Sequence, residues 1–224
     1  MLKLLTKADA ISLLNASFGF LSILFIILDV QRLAVSFIFL ALLADGLDGI
    51  IARRFGGGKM GEALEAMADM VSLSIAPLCF VFVYAIDLQI DNILISIPTI
   101  LVGLLFISCS AIRLASFHVL KDKHYFVGLP ASVSTILLLC LSYFDLPLFS
   151  YLILLLILSI IMISSIKFPK PTITMNLSAT ILILLGIILY TYYHGISFIL
   201  LFGTMILYSI FGPFYIKNIH SNVS

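Results

Sequence analysis

Long apolar stretches run through this chain of 224 residues and restrict it to a membrane-spanning fold. Eight stretches each approach the ~20 residues that an α-helix needs to cross the hydrocarbon core of a bilayer. Charged residues make up 10% of the chain, against about 25% in soluble domains. The sequence therefore predicts an all-α, polytopic membrane helix bundle. We place the eight predicted spans near residues 11–29, 33–54, 62–86, 93–116, 128–144, 147–166, 174–193 and 197–216.

The basic residues predict how the chain is oriented. With eight spans and the N-terminus inside, eleven of the twelve basic residues fall on the cytoplasmic side, and only Arg32 faces out. This is the positive-inside distribution of membrane proteins. We expect a multi-pass protein of the cell membrane, with both termini and the functional site facing the cytoplasm. Short connections without a charged or low-complexity segment predict a single domain over residues 1–224.

Five of the eleven acidic residues lie between positions 45 and 69. Asp45 and Asp48 are three residues apart and share one face of the second predicted span. Glu65 and Asp69 are four residues apart on the third span. A short glycine-rich turn makes the two spans antiparallel neighbours, so the two faces meet. We therefore expect four carboxylates to converge at membrane depth.

Carboxylates at membrane depth need a cation, because each unpaired charge there costs at least a few kcal/mol. Oxygen ligands without histidine or cysteine are what Mg²⁺, Mn²⁺ or Ca²⁺ prefer, and two divalent ions would balance four carboxylates. Gly49 and Ala52 share the face of Asp45 and Asp48 and let a bulky ligand, such as a metal-bridged pyrophosphate, approach the backbone. In the alternative, the acids pair with nearby basic residues in a solvated loop, which we favour only for Glu62.

The acidic stretch resembles the signature of the CDP-alcohol phosphatidyltransferase family. At its third acidic position that signature has aspartate, whereas this chain has Glu65. The segments "RLASFHV", "FVGLPAS" and "SSIKFPKP" are similar to the phosphatidylserine synthase branch of the family, with departures at Ser116 and His118. The matching pattern is Asp45-x-x-Asp48-Gly49-x-x-Ala52-Arg53, then Gly61-x-x-x-Glu65-x-x-x-Asp69.

The resemblance implies a reaction and its participants. A phosphatidyl or archaetidyl group would pass from a CDP-activated lipid to the hydroxyl of L-serine, with release of CMP. Two divalent cations, Mg²⁺ or Mn²⁺, would act as cofactors, and the fold would be a six-helix family core plus two helices. The expected partners are these substrates and membrane lipids, with a homodimer possible and no nucleic acid.

The resemblance also assigns roles to residues. Asp69 would be the general base and would help the other three acids of the signature to hold the metal ions. The residues expected to contact the CDP substrate are Gly49, Ala52, Arg53 and Gly61.

Two further residues stand out by position and not by the resemblance. Arg113 ends the fourth predicted span, where its charge would bind the serine carboxylate or a lipid phosphate, or else serve as a positive-inside anchor. Asn15, in an otherwise apolar span, would contact substrate or bond across helices, and we favour the bond.

Three alternatives stay open at this point. The same reaction could use another acceptor, such as glycerol phosphate or inositol phosphate. The carboxylates could instead line the ion path of a cation-coupled transporter, although the last four predicted spans carry no acidic residue in their interiors. The substitution at Glu65 also raises the option of a non-catalytic relative.

Overall fold

The computed structural model describes residues 5–56, 58, 60–87, 93–120, 122, 125–141, 144, 146–188 and 196–221. Contacts divide the chain into two compact units, Met1–Thr99 and Ile100–Ser224. The described residues are almost all helical, as the sequence predicts. One helix lies at each of the eight predicted spans when the continuous helical rod over residues 61–87 is counted once.

The first unit is built from helices joined by short turns. Helix α1 covers Lys7–Ile27 and α2 covers Gln31–Phe55. The rod that follows has three parts, which are α3 at Gly61–Asp69, a π-helical turn at Met70–Ile75, and α4 at Ala76–Asp87.

Helices α1 and α2 are antiparallel because three residues join them. Thr6 and Asp9 form a capping box at the start of α1, which satisfies backbone N–H groups that have no partner inside the helix. Further along the helix pair, the rings of Phe18 and Phe25 lie 5.9 and 5.3 Å from that of Phe37. The two helices therefore make one continuous packed pair.

The buried face of α1 is small and polar rather than apolar. Its residues recur every three or four positions, which is the period of one helix face. Small side chains at a membrane helix interface let backbones approach closely and let polar groups bond across helices. This face turns toward the other helices of the first unit. Its buried residues are Ala8, Asp9, Ser12, Asn15, Gly19, Ser22 and Ile26.

Helix α5 begins in the first unit, and most of it belongs to the second unit. The second unit also contains all of the elements that follow α5. Two short strands pair antiparallel, with Tyr125 opposite Pro169 and Val127 opposite Lys167. The element bounds are α5 Ile93–Val119, β1 Tyr125–Val127, α6 Ala131–Leu141, α7 Leu148–Met162, β2 Lys167–Pro169, α8 Ile173–Ile188 and α9 Ile196–Ser221.

The strand pair shortens two predicted spans. The span predicted from residue 128 begins as helix α6 at Ala131, and the span predicted to reach 166 ends as helix α7 at Met162. Gly128 has a positive φ of 79°, and its N–H donates to the carbonyl of Ile166 at 2.8 Å. The backbone here pairs two segments across the unit, so it cannot continue either helix.

Five described helices are long and apolar enough to cross a membrane, which makes this a multi-pass membrane protein. Three further apolar helices, α6, α7 and α8, have 11, 15 and 16 residues. The count of eight spans therefore stays a prediction. The five long segments are Lys7–Ile27, Gln31–Phe55, Gly61–Val83, Ile97–Phe117 and Ile196–Lys217.

Candidate active site

Helices α2 and α3 bring three of the four predicted carboxylates together. Asp45, Asp48 and Glu65 each place a carboxylate oxygen within 4.8 Å of the other two. Asp48 is buried, while Asp45 and Glu65 are half-buried. The meeting follows from helix geometry, because residues three apart on α2 share a face and that face turns toward α3.

Asp69 joins this cluster at the end of α3. It is 7% exposed, and its carboxyl group contacts that of Asp45. The π-helical turn begins at the next residue. Such turns occur often at functional sites, since they shift the side chains that follow out of the regular helical register. The structure thus places all four predicted acids in one cluster.

Helix α1 supplies two hydrogen bonds to the cluster. Ser12 Oγ donates to Asp48 Oδ2 at 2.7 Å, and Asn15 Nδ2 donates to Asp69 Oδ1 at 2.8 Å. The favoured interpretation of Asn15, a bond across helices, agrees with this contact. Ser12 was not singled out from the sequence. Its signal was the helical spacing of small and polar residues along an otherwise apolar span.

The site fits a divalent cation. Asp48 Oδ1 is buried and has no hydrogen-bond partner among the described residues. A buried carboxylate oxygen without a partner is costly, so such atoms are normally bonded or bound to a metal. The three clustered carboxylates are hard oxygen donors of the kind that Mg²⁺ and Mn²⁺ accept.

The end of α2 carries the residues predicted to contact the CDP group. Gly49 and Ala52 are half-buried, and Arg53 is exposed. Arg53 Nη1 lies 3.8 Å from the point that a Cβ atom on Gly49 would occupy. A positive charge therefore lies beside the glycine, one turn of helix from the carboxylates.

Gly61 lies against Asp9, a residue that was not singled out from the sequence. A Cβ atom on Gly61 would be 3.1 Å from Asp9 Oδ1, and one on Gly58 would be 2.5 Å from Asp9 Oδ2. Asp9 is 1% exposed. The glycines of this turn therefore make room for a buried carboxylate of α1. A contact between Gly61 and substrate stays a prediction.

Arg113 belongs to the second unit, where it is buried. Its Nε donates to the carbonyl of Leu129 at 3.1 Å, and its guanidinium lies 5.5 Å from the ring centroid of Phe117. It lines a small cavity together with Asp122 and Lys170. A residue that serves only as a charge anchor at the membrane surface would not need this burial. The side chain of His118 lies outside the described residues.

Comparison with known proteins identifies the family of this chain. The family described as CDP-alcohol phosphatidyltransferase matches residues 5–210. The match spans well over half of the chain. The protein belongs to the CDP-alcohol phosphatidyltransferase family.

Several individual proteins of known name are also similar to this chain. The archaetidylserine synthase of Methanothermobacter thermautotrophicus is 35% identical over 170 residues, which cover 72% of this chain and 69% of that protein. The CDP-diacylglycerol–serine O-phosphatidyltransferase of Methanocaldococcus jannaschii is 33% identical, over 75% of this chain and 76% of its own length. The enzyme of the same name from Bacillus subtilis is 33% identical, over 61% of this chain and 74% of its own length.

Proposed function

We propose that this protein transfers a phosphatidyl or archaetidyl group from a CDP-activated lipid to the hydroxyl of L-serine and releases CMP. The observation that carries this proposal is the group of three carboxylates within 4.8 Å of one another, with Asp69 in contact with it. The names of the relatives support serine as the acceptor, because each describes transfer to serine or a synthase of a serine lipid.

Asp45, Asp48 and Glu65 would hold the divalent cations, Mg²⁺ or Mn²⁺, with help from Asp69. When bound, these ions would supply positive charge to the pyrophosphate and to the departing CMP. The serine oxygen forms a bond to the lipid-linked phosphorus, and the bond from that phosphorus to the CMP oxygen breaks. Asp69 takes the proton of the serine hydroxyl. Its Oδ1 accepts a hydrogen bond from the Asn15 amide, which fixes the direction of the carboxylate.

The remaining predicted contacts supply binding. Gly49 and Ala52 leave room for the CDP group, and the exposed guanidinium of Arg53 supplies positive charge beside that room. Arg113 stays the predicted contact of the serine carboxylate. A fixed, planar guanidinium suits a carboxylate because it offers paired donors.

We place the site at the cytoplasmic side of the membrane. Lys7 and Arg54 both lie against the ring of Phe55, so the start of α1 and the end of α2 share one basic end of the first unit. Arg32 is at the other end of α2. The positive-inside rule favours a cytoplasmic location for the basic end. Four further basic residues of that prediction lie outside the described residues, namely Lys3, Lys59, Lys121 and Lys123.

The proposal predicts metal-dependent release of CMP from a CDP-lipid when L-serine is present. Purified protein in detergent should release CMP with Mn²⁺ or Mg²⁺ and none in excess EDTA. Asp48→Asn should remove nearly all activity, because it removes a metal ligand. Asp29→Asn is a matched control, since it makes the same chemical change in the exposed turn after α1, where φ is 55° and asparagine is tolerated.

Two results would count against the proposal. Undiminished CMP release in EDTA, or from Asp48→Asn protein, would contradict the metal site. Release of CMP with glycerol 3-phosphate or inositol phosphate, and none with L-serine, would overturn the acceptor and leave the reaction class standing.

A further inference from the structure

Two polar side chains of α1, Ser12 and Asn15, reach carboxylates that follow them by 36 and 54 residues in the chain. Both side chains are buried, with Ser12 3% exposed and Asn15 0% exposed. Neither belongs to the acidic pattern that runs from Asp45 to Asp69. Ser12 nevertheless donates to Asp48, a proposed metal ligand, and Asn15 donates to Asp69, the proposed general base.

The Ser12 hydroxyl donates to a side chain of another helix and not to the backbone of its own helix. Serine hydroxyls in helices commonly donate to the carbonyl four residues back, as Ser17 Oγ does to Leu13 at 2.8 Å. Ser12 Oγ lies 3.4 Å from the corresponding carbonyl of Ala8 and only 2.7 Å from Asp48 Oδ2. Because the hydroxyl has a single proton, the shorter contact identifies Asp48 as its acceptor.

This bond leaves the two oxygens of the Asp48 carboxylate in different surroundings. With Oδ2 occupied by Ser12, the buried Oδ1 has no partner among the described residues. Ser12 therefore holds the carboxylate in one rotation, with one oxygen bonded to the protein and the other available to a ligand.

Asn15 acts in the same way on Asp69. Its amide nitrogen occupies Asp69 Oδ1, and its own carbonyl oxygen is buried without a partner among the described residues. An amide donor next to a carboxylate fixes the direction of the carboxylate without adding charge to a site that already holds four acids.

We propose that α1 positions two carboxylates of the active site separately, with Ser12 orienting Asp48 for metal binding and Asn15 orienting Asp69 for proton acceptance. Both are positioning residues, because they act through the carboxylates. The inference rests on the proposed function, since the task of Asp69 comes from it. The Ser12 bond should act mainly on metal affinity and the Asn15 bond mainly on turnover.

The test compares Ser12→Ala and Asn15→Ala in purified protein. Manganese affinity is measured by the electron paramagnetic resonance signal of free Mn²⁺, and turnover by CMP release at saturating Mn²⁺, CDP-lipid and L-serine. Ser12→Ala should weaken Mn²⁺ binding about tenfold and keep turnover once Mn²⁺ saturates. Asn15→Ala should weaken Mn²⁺ binding less than Ser12→Ala does, because Asp69 only assists the three other acids in holding the metal. It should lower kcat by about tenfold to a hundredfold, the equivalent of one hydrogen bond to a charged group.

Control variants separate positioning from folding. Ser22→Ala removes another buried hydroxyl from α1, one without a hydrogen-bond partner among the described residues, and should match the wild type in both measurements. Ser12→Thr keeps the hydroxyl and should restore Mn²⁺ affinity. Asn15→Leu keeps a side chain of similar size without the donor and without a new charge, so it should lose turnover even if Asn15→Ala fails to fold.

The outcomes are distinguishable. If wild-type protein releases CMP and both alanine variants match Ser22→Ala, the inference is wrong. If both variants lose Mn²⁺ affinity and turnover to the same extent, separate positioning is wrong. If the wild type releases no CMP with any alcohol but Ser12→Ala still weakens Mn²⁺ binding, the proposed function fails while the role of Ser12 stands.

Discussion

Glu65 differs from the aspartate of the family pattern, yet its carboxylate lies in the acidic cluster. Where the family signature has aspartate, this chain has a carboxylate on a side chain longer by one methylene. The structure nevertheless brings that carboxylate within 4.8 Å of those of Asp45 and Asp48. Since a cation is held by the oxygen atoms, the position of the carboxylate matters more than the length of its stem.

We expect Glu65→Asp to keep CMP release within about tenfold of wild type and Glu65→Gln to lose nearly all of it, because only the second change removes a charged oxygen ligand. Manganese binding, measured alongside activity, should follow the same order. A Glu65→Gln protein that binds Mn²⁺ and turns over like the wild type would show that this residue is not a ligand.

At the scale of elements, the site depends on how closely α1 approaches the rod that carries Asp69. A Cβ atom on Gly19 would lie 2.7 Å from both the Cα and the Cβ of Ser72, in the π-helical turn. Contacts that short do not occur between real side chains, and the obstacle is backbone, which cannot rotate away. Gly19 is four residues from Asn15 and Ser72 is three from Asp69, so this crossing sets the distance that the Asn15 bond spans.

Gly19→Ala should therefore push α1 away from the π-helical turn. We expect it to lower the free energy of unfolding by about 1–3 kcal/mol, as overpacking of a tight core does, and to reduce turnover as the Asn15 variants do. Thermal unfolding in detergent and CMP release are the measurements.

Gly46→Ala is the matched control for this change. It places the same methyl group on a helical glycine that has nothing within 4 Å, so it should change stability by no more than about 1 kcal/mol. Equal stability and activity of the two variants would contradict the close approach at Gly19.

At the scale of the whole molecule, the distribution of charge and the number of spans together determine orientation. The basic end of the first unit contains Lys7, Arg53 and Arg54, and the opposite end of α2 contains Arg32. Five described helices are long enough to span the membrane, and three others are shorter. Whether those three also cross it decides on which side of the membrane Lys217 lies.

Cysteine labelling can show whether the number of crossings between two positions is odd or even. In protein lacking the three native cysteines, Gln31→Cys should react with an impermeant thiol reagent from outside, and Glu62→Cys and Lys217→Cys only from the cytoplasmic side. All three native residues are exposed. The expectation follows from eight crossings and the positive-inside rule. Labelling of Lys217→Cys from outside would mean an odd number of crossings after Glu62.

The sequence by itself determined the membrane class, the positions of the eight helices and the two acidic faces. These properties are local, because the length of an apolar stretch and a period of 3.6 residues are visible within one segment. Only the tertiary structure decided the donors from α1, since Ser12 and Asn15 meet carboxylates 36 and 54 residues away, and no local period encodes which helices pack together. The paired strands were not predicted from the sequence, because three residues are too few to show an alternating pattern. Their pairing also depends on contacts between segments that are distant in the chain.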